Sequence, residues 1–548
     1  MSDPSPTTAR RLVQCLEQEG VERVFGLPGE ENMAVLDALE DSPIEFVTTR
    51  HEQGAAFMAD VHGRLSGRAG VCMATLGPGA TNLITGVADA NMDHAPLVAI
   101  AGQASTHRLH KESHQVLDLK GLFGPVTKYA SSVVEPEILP EVLRKAFKWA
   151  EGGKPGASFI ELPENVASQP CPVAPLPVHS GAPAVPAEVS LAAAARLLEQ
   201  ARHPLILAGN GVIRSGASEA LAHFAGTLNI PVANTFMAKG VLPFRHPLAL
   251  GSVGLQSRDY VHFGFDKADV VLCIGYDLVE YPPSLWHPEG DCTLIHVDAS
   301  PAEIDGHYDI QAEVIGDLDT CLRDLAERVS PREETVLRPL RQLLIDDMNE
   351  HREDTGVPMK PQKIIWDLRT AAALDAVVIT DVGAHKLWMA RMFRCELPNT
   401  CLISNGFASM GIAVPGAVAA AALDPDRQVV AVTGDAGFLM NVQELETAVR
   451  LGQSFVVLVW NDSAYGLIEW KQVREYGRKA SVDFGNPDFV ALARSFGAEG
   501  VRIEPGDSLE QALRSALARP GVTVIDCPVD YSENLKLTER LGDLVCPF

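Results

Sequence analysis

Val430 to Leu467 reads VAVTGDAGFLMNVQELETAVRLGQSFVVLVWNDSAYGL. The run Val429 to Val432 is short, apolar and largely β-branched, and predicts a buried strand. It ends in Thr433-Gly434-Asp435-Ala436-Gly437, a strand-to-helix turn. Gln443 to Leu451 has helical spacing, with Leu445, Ala448 and Val449 on one face. Phe455 to Trp460 predicts a second buried strand, running into Asn461-Asp462-Ser463-Ala464. Two parallel strands joined by a helix bring their C-terminal ends side by side, at the sheet edge where open α/β folds bind ligands. Asp435 and Asp462 therefore meet although 27 positions apart. Two carboxylates at one edge repel unless a cation lies between them, and hard oxygen donors suit Mg²⁺. Gly434 and Gly437 let backbone N–H groups approach a phosphate at the helix start. On spacing alone the alternative is equally open: Asp435 caps a helix and Asp462 sits in a turn.

Outward from this stretch the alternation continues. Strands are predicted at Val24 to Gly26, Glu45 to Thr49, Val71 to Thr75 and Pro96 to Gly102, with helices between them from Thr8 to Glu19 and Asn32 to Leu39. A second series has strands Pro204 to Leu207, Asp269 to Ile274 and Thr293 to Val297. A third opens with helix Gln362 to Leu374 and strand Ala376 to Thr380, and closes with a helix around Asn486 to Ala498 and strand Val522 to Cys527. The fold class is α/β, with three doubly wound parallel-sheet domains. A length of 548 residues suits three domains. The Pro/Ala-rich stretch Ala167 to Val189 reads as a linker, and Pro331 to Glu353 as a charged helical connector. The expected boundaries are 1–168, a linker 169–189, 190–330, a connector 331–357, and 358–548.

The 45 Lys+Arg against 71 Asp+Glu give a net charge of −26. That excludes nucleic acid or an anionic membrane as the natural partner. The start MSDPSPTTARR has no apolar signal core, and the small-residue run near Gly411 to Leu423 is too short to span a bilayer. Ten cysteines occur without a CxxC pair, as expected of reduced thiols in a cytoplasmic protein.

The Gly434-Asp435-Ala436-Gly437 turn followed by Asn461-Asp462 resembles the diphosphate motif of thiamine-diphosphate (ThDP) enzymes. Ala436 stands where a third glycine is common, and Asn461-Asp462 replaces the commoner Asn-Asn. Arg50-His51-Glu52-Gln53-Gly54-Ala55-Ala56 resembles the segment that carries the activating glutamate, and Leu76-Gly77-Pro78-Gly79-Ala80-Thr81-Asn82 is equally close. Ser404 to Gly411 is similar to the segment under the cofactor, and Asp381 to His385 to the family's diphosphate loop. His114-Gln115 resembles a loop of catabolic-type acetolactate synthases. The resemblance covers nearly the whole chain, and the family is that of acetolactate and acetohydroxyacid synthases.

The resemblance implies ThDP and Mg²⁺ as cofactors, with Asp435, Asp462 and the carbonyl of Ala464 as metal ligands. Glu52 would hydrogen-bond N1′ of the aminopyrimidine and Gln115 would face the reacting carbon. Met410 would wedge between the two rings of the cofactor, with the Ala408 carbonyl accepting from its 4′-amino group. Pro28, Gly29, Thr75, Gly77 and Asn82 would line the pyrimidine side. Gly383, Ala384, His385, Gly434, Ala436, Gly437, Tyr465, Gly466 and Leu467 would line the diphosphate side. Plainer readings stand beside these: a helix-start glutamate for Glu52, a surface loop histidine for His114, a helix-start histidine packing locally for His385, and a core methionine for Met410.

The implied reaction decarboxylates pyruvate and joins the two-carbon fragment to a second 2-keto acid, giving 2-acetolactate and CO₂. The alternatives are a 2-keto acid decarboxylase, another ThDP carboligase, and a cofactor-binding subunit without turnover. The family's sites combine halves from two subunits, which implies a homodimer or tetramer. FAD stays open, because Gly209-Asn210-Gly211-Val212 and Thr235 to Gly240 look like FAD-binding relatives while Gly275-Tyr276-Asp277-Leu278-Val279-Glu280-Tyr281 looks like FAD-independent ones. Trp470 is displaced by one position, with Lys471 in its place, from a tryptophan that sets acceptor preference in the biosynthetic enzymes.

Overall fold

The computed structural model describes residues 5–179, 181–255, 259–333 and 337–534. Residues 334–336 of the expected connector and 535–548 of the third expected domain lie outside the described residues. Three six-stranded sheets carry the fold, and all their pairings among the described residues are parallel. Strands buried on both faces need near-continuous apolar runs, and Val429–Gly434 and Phe455–Asn461 supply them.

The third sheet runs Cys401–Ile403, Val377–Thr380, Val429–Gly434, Phe455–Asn461, Val522–Pro528, Glu499–Arg502. The first has the same connectivity: Glu45–Thr48, Arg23–Gly26, Gly70–Ala74, Leu97–Gln103, Ala157–Pro163, Tyr129–Ser132. In each, the chain lays its first two strands outward to one side and then crosses to the other. The crevice this opens lies beyond the C-terminal ends of the two strands flanking the reversal. In the first sheet these strands end at Gly26 and Ala74, in the third at Thr380 and Gly434. The middle sheet runs Ile310–Ile315, Thr293–Asp298, Val270–Ile274, Pro204–Ala208, Val232–Asn234, Ala249–Ser252, and its reversal lies between Pro204–Ala208 and Val270–Ile274.

The chain forms two compact units. One holds the first sheet together with 406–425 and 440–453; the other holds the middle and third sheets. Within the first unit, helix Ala413–Leu423 packs on helix Glu52–Ser66. Its apolar residues run all round, as burial on every side requires. Pro415 sits in the first turn, where no N–H is missed. Helices Glu52–Ser66 and Pro78–Met92 cross so closely that a Cβ on Gly86 would fall 2.6 Å from that of Ala56.

The turn expected at 433–437 is shorter than its sequence suggests, because a helix, Asp435–Met440, starts at the aspartate itself. Among the described residues every cysteine is free, and no helix is long and apolar enough to cross a membrane.

Candidate active site

In the first unit, Glu52 is the first residue of helix Glu52–Ser66. The preceding His51 is the N-cap, and its ring Nδ1 accepts from the Gln53 N–H at 3.0 Å. Glu52 is 9% exposed, and its Oε2 accepts from Asn82 Nδ2 at 3.0 Å. A Cβ on Gly79 would lie 3.5 Å from its Oε1 and 2.8 Å from Thr75 Cγ2, so glycine there leaves room beside the carboxylate. A Cβ on Gly29 would fall 2.4 Å from that of Thr75, which brings the ends of two strands together. Asn32 builds that turn, accepting from Gly29 N–H at 2.9 Å and donating to the Leu27 carbonyl. Pro28 is exposed on the same turn.

Gln115 is exposed and has φ +57°, in the left-handed region that non-glycine residues rarely adopt. Its backbone abuts Gly77 (φ +53°), where a Cβ would come 2.9 Å from the Gln115 carbonyl oxygen. The crevice of the first sheet thus gathers Glu52, Thr75, Gly77, Asn82 and Gln115. His114 is exposed beside them.

Residues 406–410 are tied to the same unit by a buried cluster the sequence did not reveal. Arg64 reaches Asp60 at 2.7 Å, Asp93 at 2.8 Å and Asp89 at 3.0 Å. Asp93 also accepts from the Gly406 N–H at 2.5 Å and Asp89 from the Ser409 N–H at 3.2 Å. These bonds fix the loop that carries Ala408 (φ +57°) and the half-buried Met410. Removing the guanidinium would strand three buried carboxylates. Arg64→Leu is therefore expected to destabilise the protein by about 3–5 kcal/mol, read as a lowered unfolding midpoint in urea. An unchanged midpoint would show that the cluster carries no such strain.

In the second unit, Asp435 is 1% exposed. Its Oδ2 accepts from the Ser463 N–H and from Asn486 Nδ2, both at 2.7 Å, and its Oδ1 from the Ala436 N–H at 2.8 Å. Asp462 is pushed up to about 7, first by burial and then by the charge of Asp435. A Cβ on Gly466 would lie 2.4 Å from Asp462 Oδ2, so only glycine leaves that oxygen its space. Among the described residues no three His, Cys, Asp or Glu cluster as a metal site. A cation here would need neutral oxygens to complete its shell, which suits Mg²⁺ with a backbone carbonyl, phosphate and water. Asp435, Asp462 and the buried Ala464 fit that donor set. Asn486 was missed because it comes from a loop 51 residues beyond Asp435.

Helix Ala384–Met392 begins beside this pair. His385 is 2% exposed and donates to the Asp381 carbonyl, while its Nε2 has no protein partner. Burial holds the imidazole neutral, down to about 3. Its ring fills the space over two glycines: a Cβ on Gly383 would meet Cε1 at 2.7 Å, and one on Gly434 at 3.3 Å. A Cβ on Gly437 would meet Asp381 at 3.1 Å. An orphaned buried ring nitrogen beside a cradle of glycines is what a bound ligand or water completes. Tyr465 is exposed, edge-on to Phe484 at 5.1 Å, and Leu467 is half-buried on helix Gly466–Tyr476. Trp470 on that helix is buried in the core and Lys471 is exposed.

The crevice of the middle sheet is filled from within. The Glu280 carboxylate accepts the Asn210 N–H at 3.0 and 3.1 Å, the Asp277 N–H at 3.2 Å, and the Thr235 hydroxyl. It thus occupies the anion seat of the Gly209-Asn210-Gly211 turn. Arg214, beside it, is paired with Asp277 at 2.9 Å. A dinucleotide pyrophosphate would need the N–H groups that Glu280 holds, so these residues do not fit FAD in that crevice.

Comparison with known proteins gives the family of this fold. Residues 6–122 match the N-terminal TPP binding domain of thiamine pyrophosphate enzymes, 191–325 their central domain, and 381–527 their C-terminal TPP binding domain. The fold and site thus define a thiamine-pyrophosphate enzyme. The chain is 38% identical to "Acetolactate synthase" of Bacillus subtilis (strain 168), over 98% of this chain and 96% of that protein. It is 36% identical to "Acetolactate synthase, catabolic" of Raoultella terrigena, over 97% and 96%. It is also 36% identical to "Probable acetolactate synthase large subunit" of Methanocaldococcus jannaschii, over 98% and 95%. Within the thiamine-pyrophosphate enzymes, the chain belongs to the acetolactate synthase family.

Proposed function

We propose that the protein condenses two 2-keto acid molecules, the first being pyruvate, into 2-acetolactate with loss of CO₂. The observation that carries this reading is the buried Glu52, at a helix start with one oxygen held by Asn82. When bound, thiamine diphosphate supplies a thiazolium carbon nucleophile and a sink for the electrons left by decarboxylation. The protein's own part is to hold and place. Glu52 would hydrogen-bond the aminopyrimidine N1′ and exchange a proton with it. Asn82 fixes the carboxylate's orientation, and burial excludes the water that would compete for it. Asp435, Asp462 and the Ala464 carbonyl would hold Mg²⁺, which would neutralise the charge of a diphosphate, and Gly466 leaves the Asp462 oxygen its space. Ala408 and Met410, on the loop that Asp89 and Asp93 fix, would lie under the rings, and Gln115 would face the substrate carbonyl.

The reading pairs the Glu52 half of one copy with the diphosphate half of another, in a homodimer or tetramer located in the cytoplasm. No flavin takes part, because Glu280 holds the anion seat of the middle crevice. The buried Trp470 and exposed Lys471 give no support to a 2-ketobutyrate preference set by that helix.

The test is to incubate the purified protein with ThDP, Mg²⁺ and pyruvate, identify products by NMR, and record the visible spectrum. Acetolactate from a colourless protein is expected. Acetaldehyde alone would make it a decarboxylase, cofactor binding with no CO₂ release would make it a non-catalytic subunit, and a flavin spectrum would overturn the assignment of the middle crevice.

A further inference from the structure

The carboxylate of Glu444 lies far from Glu52 in sequence and is buried in the fold against the backbone that flanks it. It is the first residue of helix Glu444–Arg450, in the segment that packs with the first sheet. Its Oε1 accepts the N–H of His51 at 3.0 Å and of Arg50 at 3.1 Å. Its Oε2 accepts the Arg50 N–H at 3.2 Å and the Thr447 hydroxyl at 2.6 Å. Helix Glu52–Ser66 comes so close that a Cβ on Gly54 would fall 2.6 Å from Oε1. Nearby, Arg450 donates to the Thr48 carbonyl, and Asn441 Nδ2 stands 3.5 Å from Gln53 Oε1.

We propose that Glu444 is a positioning residue whose carboxylate sets the Arg50–His51 turn and so fixes the direction in which Glu52 presents its own carboxylate to the cofactor. The proposal rests on the reading of Glu52 as the activating group. Glu52 is the one residue between two tied stretches. The N–H groups before it are held by Glu444, and the N–H after it by the His51 ring. With its backbone fixed on both sides, the side chain has few rotamers left, and Asn82 selects among them.

The carboxylate is the right chemistry for this task. Three donors converge on it, and an acceptor-only group satisfies all of them at once. An amide at the same place keeps one oxygen and turns its NH₂ either against the His51 and Arg50 N–H groups or against the Arg50 N–H and the Thr447 hydroxyl. The helix-start location alone would leave Glu444 a simple cap, but its partners are backbone groups 393 and 394 positions away. Catalytic geometry is steep in distance: a displacement of about 1 Å far from the chemistry costs on the order of 10²-fold.

The experiment compares Glu444→Gln, Thr447→Val and Glu52→Gln in the full-length protein. One readout is the rate of deuterium exchange at C2 of bound ThDP, by acid quench and NMR. The others are kcat and KM for pyruvate, ThDP affinity, and amide exchange of residues 49–54 in the cofactor-free protein. For Glu444→Gln, C2 exchange and kcat are expected to fall together by about 10- to 100-fold, with KM and ThDP affinity near wild type and amide protection at 50 and 51 lost. Thr447→Val should move the same quantities in the same direction by less. A wild-type C2 exchange rate in Glu444→Gln overturns the proposal. If Glu444→Gln does not fold, a wild-type rate in Thr447→Val overturns it instead. Glu52→Gln separates the two levels. If it retains C2 exchange, the reading of Glu52 falls and the proposal with it; if it abolishes exchange while Glu444→Gln does not, only the role of Glu444 falls.

Discussion

Glu52→Gln is expected to keep ThDP affinity within a few-fold of wild type and to lower kcat by about 10²–10⁴-fold, the usual range for loss of a positioned acid–base group. The substitution preserves volume in a position only 9% exposed, so packing around the helix start should survive. The Asn82 contact constrains what the glutamine can do. Asn82 donates through Nδ2, so the amide oxygen is drawn to it and the NH₂ is left at the place of Oε1. An NH₂ there can donate to a pyrimidine nitrogen but cannot carry the proton between its two states. Turnover of the variant under saturating ThDP, Mg²⁺ and pyruvate checks this, with ThDP affinity measured separately. A kcat within about threefold of wild type would remove Glu52 from its role, since an acid–base group contributes far more. A loss of affinity equal to the loss of kcat would recast it as a binding residue.

The parts of the fold and of the candidate site that were legible in the sequence are those where one local signal suffices. Val429–Gly434 and Phe455–Asn461 could be read because short, β-branched apolar runs suit strands buried on both faces. Asp435 and Asp462 followed, because the topology puts consecutive strand ends at one edge. Glu52, Gly77 and Asn82 were legible through resemblance, and the fold brings them to one crevice with Gln115. What could not be read are the groups whose partners are backbone atoms on distant segments. Glu444 looks like any glutamate at the start of an amphipathic helix until the fold sets it on the N–H groups of Arg50 and His51. Asp89 and Asp93 look like helix-end acids until Gly406 and Ser409 arrive. Glu280 is the clearest case. The segment Gly275 to Tyr281 and the Gly209-Asn210-Gly211 turn gave opposite signals about a flavin. In the fold the carboxylate of the first lies on the N–H of the second, 70 positions away. Backbone hydrogen bonds carry no residue-type signature at the acceptor's target, so no pattern in the chain could have announced them.

Asp462→Ala is expected to weaken Mg²⁺-dependent ThDP binding by at least about 10²-fold, since replacing even a group behind a metal ligand typically costs 10- to 100-fold. The structure lets this be separated from damage to the fold. In the cofactor-free protein Asp462 stands against Asp435, and burial together with that charge makes its ionised form unfavourable. Deleting it relieves repulsion while giving up its contact with the Ala464 N–H, so the melting temperature without cofactor should shift little. The sign differs once ligand is added. Wild type should gain thermal stability from Mg²⁺ and ThDP together, by mass action on the folded state, and lose that gain with a chelator. The Ala variant should behave alike with Mg²⁺ and with chelator. Asp435→Asn makes a harsher contrast, because both Asp435 oxygens accept N–H groups and an amide must turn one NH₂ against a donor. That variant should lose binding and also melt lower without cofactor. Titrating ThDP into each variant by tryptophan fluorescence, with Mg²⁺ and with EDTA, checks both. If Asp462→Ala binds ThDP as tightly as wild type and still loses affinity on chelation, the cation sits elsewhere, and the pairing of these two carboxylates would need another explanation than a shared metal.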